Sequence, residues 1–186
     1  MKLKNIPNIL SLIRLLLVPV FVVFFLKGKT AVAAIVFVIS GITDVLDGTI
    51  ARKFGCITNL GKILDPLADK LTQMSAFICL YIAELVPLWM PAVYFLKELA
   101  TAIGALFVFK KGKVVVKSRV FGKLATVFVF TFVLTVILFG YKISQGTIAG
   151  LCVLMCVYFL FSCLMYVNTE LRNGISAGEE KQLPNE

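Results

Sequence analysis

Four aspartates stand inside apolar sequence: Asp44, Asp47, Asp65 and Asp69. A carboxylate within a membrane-length apolar run is costly, so its presence marks a candidate functional site. Spacing sharpens this. Asp44 and Asp47 lie three residues apart and Asp65 and Asp69 four apart, so on helices each pair shares a face. Four carboxylates in one pocket repel, and some would take up protons unless cations neutralised them. Two divalent ions would do so, and a two-metal site suits displacement at phosphorus because it clamps the attacking and leaving oxygens. Ion pairs with Arg52, Lys62 and Lys70 are the plain structural alternative, but they leave the pairing on two helix faces unexplained. Gly48 follows Asp47 directly, and Gly61 precedes Asp65 by one turn. Lacking side chains, both let a backbone or a flat ligand come close. Arg52, four residues beyond Gly48, can fork onto a phosphate.

The rest of the composition narrows the chemistry. There is no histidine, and Cys56, Cys79, Cys152, Cys156 and Cys163 show no CxxC spacing, which argues against a zinc or redox centre. A general base must then be a carboxylate, Lys, Tyr or Cys. A metal site must be built largely from oxygen ligands, which favours Mg²⁺ or Mn²⁺. The net charge of +9 accompanies 60% hydrophobic and only 16% charged residues. In so apolar a chain the positive charge points to anionic lipid headgroups and topology control, not to nucleic acid.

Helices must position these residues. Six apolar segments run over about 6–26, 30–50, 60–82, 87–109, 120–141 and 147–167. A bilayer span takes roughly 20 apolar residues, so six take about 120 and leave only short loops. The expectation is an all-α integral membrane protein of about six transmembrane helices. It has a single membrane domain over 1–170 and a polar cytoplasmic tail over 171–186, frayed beyond Thr169. The first segment is placed like a signal peptide, but Arg14 interrupts it and no small-residue cleavage site follows. With six spans, the N-terminus, second loop, fourth loop and C-terminus share a side that carries thirteen basic residues, against three on the other. That bias predicts both termini in the cytoplasm of a multi-pass cell-membrane protein. The aspartates then sit a turn or two below the cytoplasmic face. Gly146 and Gly150 open the last helix four residues apart, which permits close helix approach in a homodimer seam or within one chain.

The pattern Asp44-x2-Asp47-Gly48-x2-Ala51-Arg52-x8-Gly61-x3-Asp65-x3-Asp69 resembles, at every fixed position, the signature of the CDP-alcohol phosphatidyltransferase family. Asn5-Ile6-Pro7-Asn8 with Arg14, and Asp65-Pro66-Leu67-Ala68-Asp69-Lys70, resemble its phosphatidylglycerophosphate and cardiolipin synthase branch, so the likeness covers nearly the whole chain. The resemblance implies that CDP-diacylglycerol binds with its diphosphate across two divalent ions. Asp44, Asp47 and Asp65 would be metal ligands, with Asp69 near the metals and also the base that takes the acceptor hydroxyl's proton. Gly48, Arg52 and Gly61 would form the nucleotide site, CMP would leave, and the acyl chains would stay in lipid between helices.

Glycerol 3-phosphate is the leading acceptor on this resemblance. The basic cluster from Lys110 to Lys123 lies on the active-site side, and Lys117, Arg119 and Lys123 are its candidate acceptor contacts; a solvated topology signal is the plainer reading. Two family-typical basic positions of glycerol 3-phosphate enzymes are Ala105 and Ala125 here, which keeps phosphatidylglycerol, or another alcohol, as an alternative acceptor. A cation transporter is the distant alternative, since aspartates in membrane helices can also form an ion path.

Overall fold

The computed structural model of the chain describes residues 6–53, 61–110 and 119–179. Six helices make up the described residues, with no strand among them: α1 Ile6–Leu26, α2 Thr30–Lys53, α3 Gly61–Ile82, α4 Trp89–Lys110, α5 Arg119–Phe139 and α6 Gln145–Glu179. Their ends have local causes. Gly28 ends α1 in the left-handed region (φ 73°), donating to the Phe25 carbonyl at 2.9 Å, while Lys29 N–H donates to Phe24 at 3.0 Å. This paired closure satisfies carbonyls that a helix end leaves open, and glycine adopts it without steric cost. Glu84 closes α3 the same way (φ 57°), with bonds from Glu84 to Tyr81 and from Leu85 to Leu80. Ser144 caps α6, its hydroxyl accepting from the Thr147 N–H at 3.2 Å.

One boundary differs from the sequence expectation. The last helix does not fray at Thr169 but continues to Glu179. Extending a helix that is already nucleated costs little, and residues 170–172 are Glu, Leu and Arg, all good helix formers.

Three stretches are long and apolar enough to cross a membrane: Asn8–Leu26, Thr30–Thr49 and Gln145–Met165, with a shorter apolar stretch over Thr126–Phe139. Less than a third of each long stretch is buried inside the protein. Leu12, Leu16 and Val23 on α1, and Val157, Leu160 and Leu164 on α6, point outward. Such exposed apolar faces are stable against lipid and costly against water. The chain is therefore an all-α membrane protein.

α1 packs chiefly on α2 and α3, α2 also meets α5, and α4 is held by α3 and α6. Aromatic rings fill the centre: Phe21 and Phe37 from α1 and α2, Phe77 from α3, Tyr94 from α4, Phe132 from α5 and Phe159 from α6. Gly41 allows a close crossing of α2 and α5. A methyl group there would lie 2.5 Å from the Phe130 ring, which is itself stacked on Phe37 at 4.8 Å. A methyl group added at Gly150, by contrast, would meet no described atom within 4 Å outside its own stretch of helix, so among the described residues no other helix packs against that point.

Candidate active site

Three helices bring the aspartates together. α2 carries Asp44 and Asp47 near its C-terminal end, and α3 carries Asp65 and Asp69 in its first turns. α1 lies against both and offers Ser11 and Arg14 from one face, three residues apart. The Arg14 guanidinium bridges α2's pair: Nη1 donates to Asp44 Oδ1 at 2.5 Å and Nη2 to Asp47 Oδ2. Ser11 Oγ donates to Asp65 Oδ1. The Asp44 and Asp65 carboxylates both lie within electrostatic range of Asp47, and Asp44 within range of Asp69. All four thus share one electrostatic neighbourhood.

Exposure divides them. Arg14 and Asp47 are buried at 1% and 2%, whereas Asp44 is 37% and Asp69 23% exposed. Asp44 and Asp69 open onto a cavity of about 390 Å³ between α2, α3 and α5, with Arg14 also in its wall. The walls beyond them are mostly apolar and include Phe37, Gly41, Val127 and Phe130. A polar end joined to an apolar body suits a ligand with a charged head and hydrocarbon chains.

Asp69 has partners of its own. Gln73 Nε2 donates to Asp69 Oδ1 at 2.7 Å, and the Lys70 ammonium stands 3.7 Å from Oδ2. Lys70 is also 2.7 Å from Glu98 of α4, which Lys97 reaches at 2.5 Å. Lys70 therefore pairs with an aspartate as the structural alternative expects, but the cation shared by Asp44 and Asp47 is Arg14. In the sequence Arg14 stands out as an interruption of an apolar run and as part of the family resemblance, with nothing there to pair it with Asp44 and Asp47. Ser11 and Gln73, which bond Asp65 and Asp69 directly, and Tyr94 and Glu98, which hold Gln73 and Lys70 behind Asp69, do not stand out in the sequence. The available signal was helical spacing: Ser11 precedes Arg14 by three residues, and Gln73 follows Asp69 by four.

Gly48 stands half-buried on α2 after Asp47, and Gly61 is buried at the start of α3. Arg52 falls in the last turn of α2, and Arg119 and Lys123 in the first turns of α5. The side chains of these three, and all of Lys117, lie outside the described residues.

The donor set can be tested against a divalent ion. It is all oxygen and anionic, which fits a hard cation such as Mg²⁺ or Mn²⁺. Arg14 Nε is buried without a hydrogen-bond partner, so the guanidinium is an incompletely satisfied counter-ion for this cluster. Among the described residues no three carboxylates converge closely enough to hold one ion. In chemistry and charge the residues fit.

Fold and site together define a helical membrane protein with a largely apolar cavity between α2, α3 and α5 that carries two carboxylates in its wall. The family model for CDP-alcohol phosphatidyltransferase matches residues 4–167, and the chain belongs to that family of transferases. It is 37% identical over 137 residues to a CDP-diacylglycerol–glycerol-3-phosphate 3-phosphatidyltransferase of Bacillus subtilis, covering 66% of this chain and 70% of the relative. It is 34% identical over 135 residues to a protein of the same name from Aquifex aeolicus, covering 71% and 75%. A cardiolipin synthase (CMP-forming) of Streptomyces coelicolor is 39% identical over 100 residues, which is 50% of this chain and 46% of that one. Membership of a transferase family sets aside the cation-transporter alternative.

Proposed function

We propose that this chain transfers the phosphatidyl group of CDP-diacylglycerol to glycerol 3-phosphate and releases CMP. The observation that carries the reading is the pair Asp44 and Asp69 in the wall of one cavity, backed by Asp47 and Asp65. Asp44, Asp47 and Asp65, with Asp69 beside them, would hold two divalent ions, Mg²⁺ or Mn²⁺. Bound there, the ions supply charge that neutralises the diphosphate and the departing CMP. Gly48 and Gly61 leave room for the nucleotide, and Arg52 is placed to hold its phosphate. The apolar cavity wall seats the lipid beside the carboxylates. Asp69 receives the acceptor hydroxyl's proton as that oxygen bonds to the phosphorus bearing diacylglycerol. The bond from that phosphorus to the CMP oxygen breaks, and CMP carries away the electron pair.

With six spans, the positive-inside bias favours both termini and the active site at the cytoplasmic face of the cell membrane, the chain forming one membrane domain over 1–170 followed by a polar tail over 171–186. Gly146 and Gly150 leave α6 a small-residue face for a second copy in a homodimer. Lys117, Arg119 and Lys123 are the candidate contacts for the acceptor phosphate. A second acceptor has a specific observation behind it: Ala105 and Ala125 replace basic residues expected for glycerol 3-phosphate, and a cardiolipin synthase is among the relatives. The test is purified protein with CDP-diacylglycerol, Mg²⁺ and either glycerol 3-phosphate or phosphatidylglycerol. Faster CMP release with glycerol 3-phosphate supports the proposal; release with phosphatidylglycerol alone transfers it to cardiolipin synthesis.

A further inference from the structure

Gln73 and Tyr94 form a buried polar pair that no role above uses. They are 6% and 1% exposed, on α3 and α4. A buried side-chain amide must satisfy both of its ends or bear the cost of desolvation. An ionised carboxylate only accepts, so Gln73 must turn its NH₂ group to Asp69, and it does so at 2.7 Å from Oδ1. Its carbonyl then needs a donor on the other side. The Tyr94 hydroxyl supplies one at 2.6 Å from Oε1. Donation therefore runs one way, from Tyr94 to Gln73 to Asp69. The Tyr94 ring is held in turn by Phe77 at 4.8 Å and Phe159 at 6.1 Å between ring centres. At the far oxygen of Asp69, Lys70 stands 3.7 Å from Oδ2 and is itself held by Glu98.

We propose that Gln73, oriented by Tyr94, is a positioning residue for Asp69. It pins Oδ1 so that Oδ2 is the oxygen presented to the acceptor hydroxyl in the cavity. The inference rests on the reading of Asp69 as the base. An alternative role for the pair is to tie α3 to α4 and nothing more. The two roles separate in kinetics, because a tie would move stability while positioning moves kcat.

The test uses the full-length protein in detergent with Mg²⁺, CDP-diacylglycerol and the acceptor that supports turnover. Variants are Gln73→Met, Tyr94→Phe, the double variant and Asp69→Asn. Gln73→Met keeps the size of the side chain and removes the bond to a charged group, so kcat should fall about tenfold or more. Tyr94→Phe keeps the ring and should lower kcat about fivefold, the effect of one neutral hydrogen bond. KM for CDP-diacylglycerol should hold in both. The double variant should match Gln73→Met alone, since Tyr94 acts only through the amide. Parental kcat in both single variants overturns the inference, as does a fall in kcat that only follows lost thermal stability and adds in the double variant. If Gln73→Met fails to fold, Tyr94→Phe decides by the same kcat and KM comparison. Asp69→Asn separates the two levels. If it abolishes turnover while Gln73→Met is parental, the base reading stands and positioning fails; if it turns over at the parental rate, the base reading itself fails.

Discussion

Replacing Arg14 by leucine removes the cation that Asp44 and Asp47 share. Leucine suits an apolar helix, so α1 itself should persist. The cost falls on the two carboxylates, one of them 2% exposed, that lose their partner. Breaking a buried pair by removing one member costs about 3–5 kcal/mol. For a chain of this size each kcal/mol shifts the melting temperature by about 2–4 °C, so the variant should melt about 6–20 °C below the parent in EDTA. Divalent ions would replace the missing charge. Saturation at one hundred times Kd is worth about 2.7 kcal/mol to the folded state, so Mg²⁺ should recover much of the loss and raise the variant's melting temperature more than the parent's. Thermal unfolding of both proteins in detergent, with EDTA and with Mg²⁺, reads this directly. A variant that melts with the parent in EDTA would refute Arg14 as the counter-ion, and one that Mg²⁺ does not raise would refute the shared site.

Asp69→Asn should retain metal-dependent binding of CDP-diacylglycerol but release CMP about 10²–10⁴-fold more slowly, because an amide keeps the shape and is a poor base. Binding and turnover measured on one preparation check this. Arg119→Ala and Lys123→Ala should each raise KM for glycerol 3-phosphate about tenfold or more, the effect of one charge-assisted hydrogen bond, with KM for CDP-diacylglycerol unchanged. If both variants match the parent, these residues do not hold the phosphate, and phosphatidylglycerol becomes the better acceptor.

What could be read in advance follows from cost. An aspartate in an apolar helix is so unfavourable that four of them announce a site, and helical spacing alone pairs Asp44 with Asp47 and Asp65 with Asp69. The six helices were legible as six apolar runs, and among the described residues three stretches, in α1, α2 and α6, are long and apolar enough to cross a membrane. Arg14 was visible as an anomaly, but its partners were not, because periodicity says nothing about which helix lies beside α1. Gln73 and Tyr94 carried still less signal: single polar residues in membrane helices are common, and only the approach of α4 to α3 brings this pair together. Gly41 was silent because its importance lies in the Phe130 ring that crosses it from α5. The extension of α6 was missed because a polar composition was read as an end, whereas polarity ends a membrane span and not a helix.

The decisive measurement is the joint yield of CMP and phosphatidylated acceptor from CDP-diacylglycerol, followed in one reaction with purified protein. Phosphatidyl transfer at the aspartate site predicts equal amounts of both products, formed only when acceptor and divalent ion are present, lost in EDTA and restored by Mg²⁺ or Mn²⁺. Full turnover in excess EDTA with metal removal verified, or CMP released without a matching lipid product, would contradict it.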